Sequence, residues 1–328
     1  MIHKANLQIH KVSVNSTSVD GTRHVALLNK PHQVKHLQQS QTLQLDAMHR
    51  PVLYHQHNAI QKSIAEKVIR KYAKWMQWRN DGLDSLIDVG TGTGNVLMEI
   101  AKPHISKAYR RVVGIDMASD AIAFAKTYYK SQRKVEFKIL DIGTENELPA
   151  DLIGQFDHVT SFNCLHWVNN QIQALKNIYQ LIRPEGGDFL LCFQPYLPFF
   201  DIYEVLQNTS TWSPYIGHID YFGGPLQRIE EDELSNLLDE IGFDNVEIEY
   251  SFGVHTYQSE KEFKEHMAAS CMFLKHIPPQ LHSTIMKDFV DIAQRLGCRA
   301  SSPSGNKCKY SLNFTNAVVY AKKLPQCH

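Results

Sequence analysis

The sequence predicts an α/β fold with a parallel sheet and helices on both faces. Two observations carry that expectation. Short apolar runs alternate with amphipathic helical stretches between residues 86 and 193. The first run leads directly into the glycine-rich turn Asp88-Val89-Gly90-Thr91-Gly92-Thr93-Gly94, placed as a strand-to-helix connection. The chain has 328 residues, 43 % hydrophobic and 21 % charged, enough for a full core in one large domain or two ordinary ones.

The elements follow in order. Residues 1–50 carry six Lys/Arg against two Asp/Glu and no sustained apolar period, so a flexible extension is expected there (boundaries 1–52). Arg is too scarce for a transit peptide, and no apolar h-region suits a secretory signal. Leu53, Ile60, Ile64, Val68, Ile69, Tyr72 and Trp75 then recur at helical spacing. Asn80-Asp81-Gly82 marks a turn before the strand at 86–90. Further strands read at 112–115, 135–140, 156–162 and 188–193, with helices near 95–103, 119–131 and 170–182 between them. Beyond 195 come helical stretches near 200–207, 230–240, 260–273 and 280–296, and strands at 245–251 and 311–321.

Composition excludes several classes. Lys+Arg 34 balances Asp+Glu 34, so no basic excess exists to coat a phosphate backbone, and nucleic acid is not an expected partner. No apolar run is long enough to span a membrane. The six cysteines form no C-x-x-C pair, which suits neither a zinc site nor a disulfide framework. No metal site and a reducing, cytoplasmic location are expected; oligomeric state is not legible.

The glycine turn lets backbone approach a ligand closely. Its G-x-G-x-G spacing departs from the dinucleotide fingerprint, and no Lys-Ser/Thr follows as a phosphate loop needs. Asp88, two positions before Gly90, suits a ligand with a cationic amine better than a pyrophosphate. Asp116 ends the second strand and can hold ribose hydroxyls; Asp141 ends the third. Met117 and Ile142, next along the chain, join Asp88, Gly90, Gly92, Gly94, Asp116 and Asp141 as candidate cofactor-binding residues. Acids at three successive strand ends describe a ligand with an amine, a ribose and an adenine amine but no phosphate: S-adenosyl-L-methionine.

This order of motifs resembles a class I S-adenosylmethionine-dependent methyltransferase, with Phe156-Asp157-His158-Val159 on the fourth strand and Leu181-Ile182-Arg183-Pro184-Glu185-Gly186-Gly187 before the fifth. Within that group, the segment from Phe156 to Val168, Trp78-Arg79-Asn80-Asp81-Gly82, Asn177-Ile178-Tyr179 and Phe200-Asp201-Ile202-Tyr203 resemble insect juvenile hormone acid O-methyltransferases. Leu53-Tyr54 with Asn58 and Gln61 matches their first helix. The likeness covers about residues 53–322. It implies a Rossmann-like, seven-stranded, mostly parallel sheet with an α-helical cap over the substrate site. The cap comprises insertions around 196–243 and 258–297, a lid helix precedes the sheet, and 323–328 forms a tail. It also implies a small apolar carboxylic acid as substrate, an isoprenoid or fatty-acid-like one, with Gln61 and Trp167 orienting its carboxylate. Two departures stand out: Ile64 replaces an acid three residues after Gln61, and Tyr221-Phe222-Gly223-Gly224-Pro225 replaces a Phe-Ile-Ser-Pro-like segment.

A carboxylate is ionised at pH 7, so the reaction needs orientation and desolvation rather than a general base. Gln61 and Trp167 offer neutral donors for that purpose. As structural alternatives, Gln61 is a surface helix residue and Trp167 a packing residue. His166 and Cys164 read as wall residues, and Phe193, Tyr196, Leu197, Phe199 and Phe200 as the floor of an apolar pocket or plain core. Competing functions are a nicotinamide-dependent dehydrogenase, for which Tyr257 and Lys261 have a suggestive spacing, a methyltransferase acting on another oxygen or nitrogen, and a non-catalytic paralogue that binds lipid or a partner.

Overall fold

The computed structural model describes residues 51–219, 224–271, 273–300 and 309–325. The 1–50 extension, Tyr221, Phe222 and Gly223 lie outside the described residues. Two helices, α1 (Pro51–His57) and α2 (Ala59–Tyr72), lead into the sheet. The first sheet strands are β1 (Ser85–Val89), β2 (Arg111–Asp116), β3 (Val135–Ile139), β4 (His158–Phe162) and β5 (Gly187–Tyr196). Helices α3 (Ser119–Tyr128) and α4 (Gln171–Leu181) connect them. The chain continues through α5 (Pro198–Gln207), α6 (Ser213–Ile216), α7 (Glu231–Ile241), β6 (Asp244–Tyr257), α8 (Glu260–Ser270), α9 (His282–Arg295), the short β7 (Arg299–Ala300) and β8 (Lys309–Lys323).

The strand order is β3-β2-β1-β4-β5-β8-β6, with β7 paired to β8. Strands β1 to β5 are parallel, and β8 is antiparallel to both β5 and β6. The expected seven-stranded, mostly parallel sheet is therefore present, and two-residue β7 escaped the sequence reading because it is too short to show a pattern. Strand order reverses between β1 and β4, and such a switch point opens a crevice beyond the strand ends. All five residues of β1 are buried, as a central strand covered on both faces requires.

Three apolar clusters hold the layers. One face packs Ile87, Val113 and Phe189 against Leu175 and Ile178 of α4 and Leu238 of α7. The other packs Leu86, Val112 and Leu190 against Val68, Ile69 and Tyr72 of α2. The third joins Phe199, Tyr203, Trp212, Phe263 and Phe289 into a helical cap that packs on Tyr257, Tyr310 and Leu312 at the ends of β6 and β8. Among the described residues no helix is long and apolar enough to cross a membrane.

Local differences from the sequence reading have physical causes. The first helix divides at Asn58, whose side chain exchanges amide hydrogen bonds with Asn95 at 2.9 and 2.8 Å. The stretch after the glycine turn becomes a π-helical turn, Leu97–Ala101, then a 3-10 turn, Lys102–His104, where Pro103 cannot donate to a continuing helix. Strands β6 and β8 run further than expected because they pair from Asp244↔Lys322 up to Tyr257↔Tyr310, beneath the cap.

Candidate active site

The glycine turn is held by backbone and by one carboxylate. Gly90 has φ +72°, and a Cβ there would lie 2.2 Å from Cys164 Sγ, so only glycine fits. Gly92, at φ +55°, has Tyr54 as its nearest neighbour at 3.5 Å from an ideal Cβ, leaving its cavity side open. Asp116 accepts the Gly92 N–H at 2.8 Å and the Ala118 N–H at 2.9 Å. A carboxylate has about four acceptor positions, so Asp116 keeps acceptor capacity for a ligand's hydroxyl. Burial raises the Asp116 pKa, partly opposed by those N–H bonds.

A cavity of about 290 Å³ runs along the strand ends. At one end lie Gly90, Gly92, Asp116, Met117, Asp141 and Ile142. At the other lie His255 and Tyr257 on β6, His266 on α8, and Leu312 and Phe314 on β8. With strands about 4.8 Å apart, β3 and β6 are separated by about 29 Å, so the two ends are far from each other. The roof is the first helical pair: Pro51, Tyr54, Ile60, Gln61 and Ile64 line the cavity from α1 and α2. The reciprocal Asn58–Asn95 amide pair fastens this roof to the helix that follows the glycine turn. Asn177 Nδ2 donates to the carbonyls of Ile142 and Thr144, both at 2.8 Å, which fixes the loop carrying Asp141.

Between the ends stand neutral polar groups. Gln61 and Trp167 both line the cavity, and Gln61 Oε1 is buried without a hydrogen-bond partner. Trp167 closes a 3-10 turn, Leu165–Trp167, with Phe200 edge-on at a centroid distance of 6.1 Å. His166 is 5 % exposed, and burial depresses its pKa to about 3. Its Nδ1 accepts the Gln194 N–H at 3.3 Å, which assigns the ring proton to Nε2. A neutral imidazole so engaged is a donor and not a base. Burial and the nearby Asp116 and Asp88 push the Cys164 thiol well above its ordinary pKa, so it is no nucleophile. No Lys or Arg lines the cavity among the described residues.

The structure thus brings Gln61, Trp167, Gly90, Gly92, Asp116, Met117, Asp141 and Ile142 to one cavity. Asp88 and Gly94 stand behind its wall. Asp88 is 2 % exposed and accepts Thr160 Oγ1 at 2.7 Å, and burial lifts its pKa to about 7. A Cβ on Gly94 would meet the Phe137 ring at 2.7 Å, so that glycine serves helix-to-sheet packing. Of the expected floor, Leu197 and Phe199 reach the cavity, whereas Phe193 belongs to the sheet core and Phe200 backs Trp167. Tyr257 is buried at the end of β6, while Lys261 is an exposed partner of Glu265, so the two form no catalytic pair. The Trp78–Gly82 motif serves stability: Trp78 packs on His158, and Arg79 pairs with Asp81. Tyr54, Asn163, Gln194, His255 and His266 were not singled out as site residues. Each belongs to a site assembled by tertiary contact; only Tyr54, in the segment that carries Gln61, and Asn163, four residues before Trp167, lie near a candidate in the sequence.

The comparisons agree with this geometry. A methyltransferase-domain family profile matches residues 87–188. The chain is 37 % identical to juvenile hormone acid O-methyltransferase of Drosophila melanogaster, over 85 % of this chain and 94 % of that protein. It is 33 % identical to the Bombyx mori protein of the same name, over 83 % and 96 %. The fold is similar to that of a Bacillus halodurans chain described as a candidate methyltransferase, with TM-score 0.50 and 18 % identity, covering 79 % of this chain and 99 % of that one.

Proposed function

The chain belongs to the juvenile hormone acid O-methyltransferase family and is an S-adenosylmethionine-dependent O-methyltransferase; from that premise we propose that it esterifies the carboxylate of an isoprenoid or fatty-acid-like acid. The observation that carries this reading is the polarity of the cavity. Carboxylates face the cofactor end, Gln61 and Trp167 line the cavity as neutral donors, and apolar side chains with His255, Tyr257 and His266 enclose the rest, without a Lys or Arg among the described residues.

The residues present fit the cofactor. Asp116 keeps acceptor capacity, Asp141 lines the same end, and Gly92 leaves room for close approach. When bound, the cofactor supplies an electrophilic methyl on a sulfonium. The chain's part is to present one carboxylate oxygen to it. Gln61 from the roof and Trp167 after β4 hold the acid in this reading, which is supported by both lining the cavity. The reacting anion and cation neutralise each other as the transition state forms. A positively charged side chain would therefore stabilise the ground state more than the transition state, and neutral donors avoid that penalty. Tyr54, Ile64, Phe199 and Leu312 exclude water, which leaves the carboxylate less solvated and more reactive. His166 contributes no proton transfer, and none is needed.

The test is turnover on matched compounds. An isoprenoid or medium-chain acid should be converted to its methyl ester, while the alcohol and the amide of the same chain should not react. Conversion of the alcohol in preference to the acid would defeat the reading.

A further inference from the structure

Asn163 is the first residue after β4, and its backbone has φ +56°. Asn is among the few residues other than glycine that adopt that conformation readily. The backbone is pinned there, because the Asn163 N–H donates to the Cys192 carbonyl at 2.8 Å. The side chain is pinned as well. Its Oδ1 accepts Gln194 Nε2 at 2.8 Å, and the same Gln194 amide donates to Asn316 Oδ1 at 2.9 Å. This chain of amides crosses from β8 through β5 to the end of β4 and turns the Asn163 oxygen towards Gln194; turning Asn163 alone would set nitrogen against nitrogen. With Oδ1 engaged, Nδ2 is left buried, without a partner, in a residue that lines the cavity. A buried donor without an acceptor is costly, and one in a residue that lines a cavity is a position a ligand's acceptor can complete.

The geometry points to Asn163 as a further catalytic residue, one whose Nδ2 donates to the substrate carboxylate beside Gln61 and Trp167. This inference rests on the reading of the cavity as a carboxylate site. The cofactor's own carboxylate is the competing acceptor. The supports of Asn163 lie on β5 and β8, on the substrate side, whereas Asp116 ends β2 and Asp141 follows β3, across β1. Trp167 follows four residues later in the same loop. A neutral amide held by Gln194 and Asn316 orients an anion without pairing its charge, in keeping with the other donors. Gln194 acts through Asn163 and is a positioning residue.

The experiment is calorimetry on the full chain saturated with S-adenosylhomocysteine, titrated with decanoic acid and separately with 1-decanol. Asn163→Gly tolerates φ +56° without strain and removes the donor; Asn163→Asp keeps the shape and the bond from Gln194 but replaces the donor with a carboxylate. Both variants should bind decanoate roughly ten- to a hundredfold more weakly, Asn163→Asp the more so. Affinity for decanol and for S-adenosylhomocysteine should stay within about twofold, on the precision a matched titration allows. Unchanged decanoate affinity in both variants overturns the inference. So does an equal loss of S-adenosylhomocysteine affinity, which would assign the donor to the cofactor or to the fold. If the unaltered chain binds decanoate no better than decanol, the carboxylate reading of the cavity itself falls before the variants are compared.

Discussion

At pH 7, binding of S-adenosylmethionine should drive a proton off the protein, and Asp88 is the group that releases it. Asp88 is buried beneath the glycine turn, where desolvation raises its pKa to about 7 against the help of Thr160 and Thr91; Asp116 adds to the rise. At pH 7 the unliganded side chain is therefore about half protonated. A cation seated on the glycine turn favours the ionised form and lowers that pKa. About 0.5 proton should leave per cofactor bound at pH 7, falling towards zero at pH 9, where Asp88 has already ionised. The assay is calorimetry in several buffers, in which the slope of observed enthalpy against buffer ionisation enthalpy counts protons. Asp88→Asn should flatten the slope. Stability carries the same sign. The folded pKa lies above the unfolded value of 3.8, so the folded chain holds an extra proton between about pH 4 and 7. Stability from this group falls across that window and costs about 4 kcal/mol above it, which a bound cation offsets. The cofactor should accordingly raise the melting temperature more at pH 8 than at pH 5. A buffer-independent enthalpy at pH 7, or an undiminished slope in Asp88→Asn, would refute the reasoning.

Other outcomes follow from the same geometry. Trp167→Phe keeps most of the ring and removes the indole donor, so kcat/KM should fall by about 1.5–3 kcal/mol of transition-state stabilisation, while cofactor affinity holds. Gln61→Leu should act in the same direction, and steady-state kinetics on the double variant should show less than additive loss, because both donors hold one anion. Gly90→Ala places a Cβ 2.2 Å from Cys164 Sγ at φ +72°, and a cofactor titration should show at least a tenfold loss by the strain scale of such residues. His158, 1 % exposed, bonds Asp188 at 2.6 Å and Asp84 at 2.9 Å, and these carboxylates outweigh burial to raise its pKa to about 9. Its contribution of about 3 kcal/mol is complete below pH 6.5 and lost as pH rises through 9, so urea denaturation of His158→Gln should lack that decline.

The parallel strands and the glycine turn were legible because each is a local pattern: a buried run, a tight turn, an acid at a strand end. Asp116, Asp141, Gln61 and Trp167 line one cavity. Sequence patterning gave out where tertiary pairing decides. Strands β6 and β8 extend past their apolar cores because they pair with each other and not because each is periodic. Asp88 carries the residue type of a ligand contact yet lies behind the wall, since the turn above it comes between. The far end of the cavity, His255, Tyr257 and His266, joins a strand to the helix after it at spacings that resemble no motif. Asn163 looks like any residue following a strand until its backbone conformation and unpartnered amide are seen.

The central claim is methyl transfer from S-adenosylmethionine to an apolar carboxylate held by neutral donors. The most direct measurement is mass spectrometry of the organic extract after the purified chain is incubated with an isoprenoid acid and cofactor carrying a deuterated methyl. The account predicts the acid's methyl ester, bearing the whole labelled methyl and formed in equal amount to S-adenosylhomocysteine, with the yield greatly reduced in Trp167→Phe with Gln61→Leu. Cofactor binding without any labelled ester from a panel of isoprenoid and fatty acids, or an undiminished yield from the double variant, would contradict it.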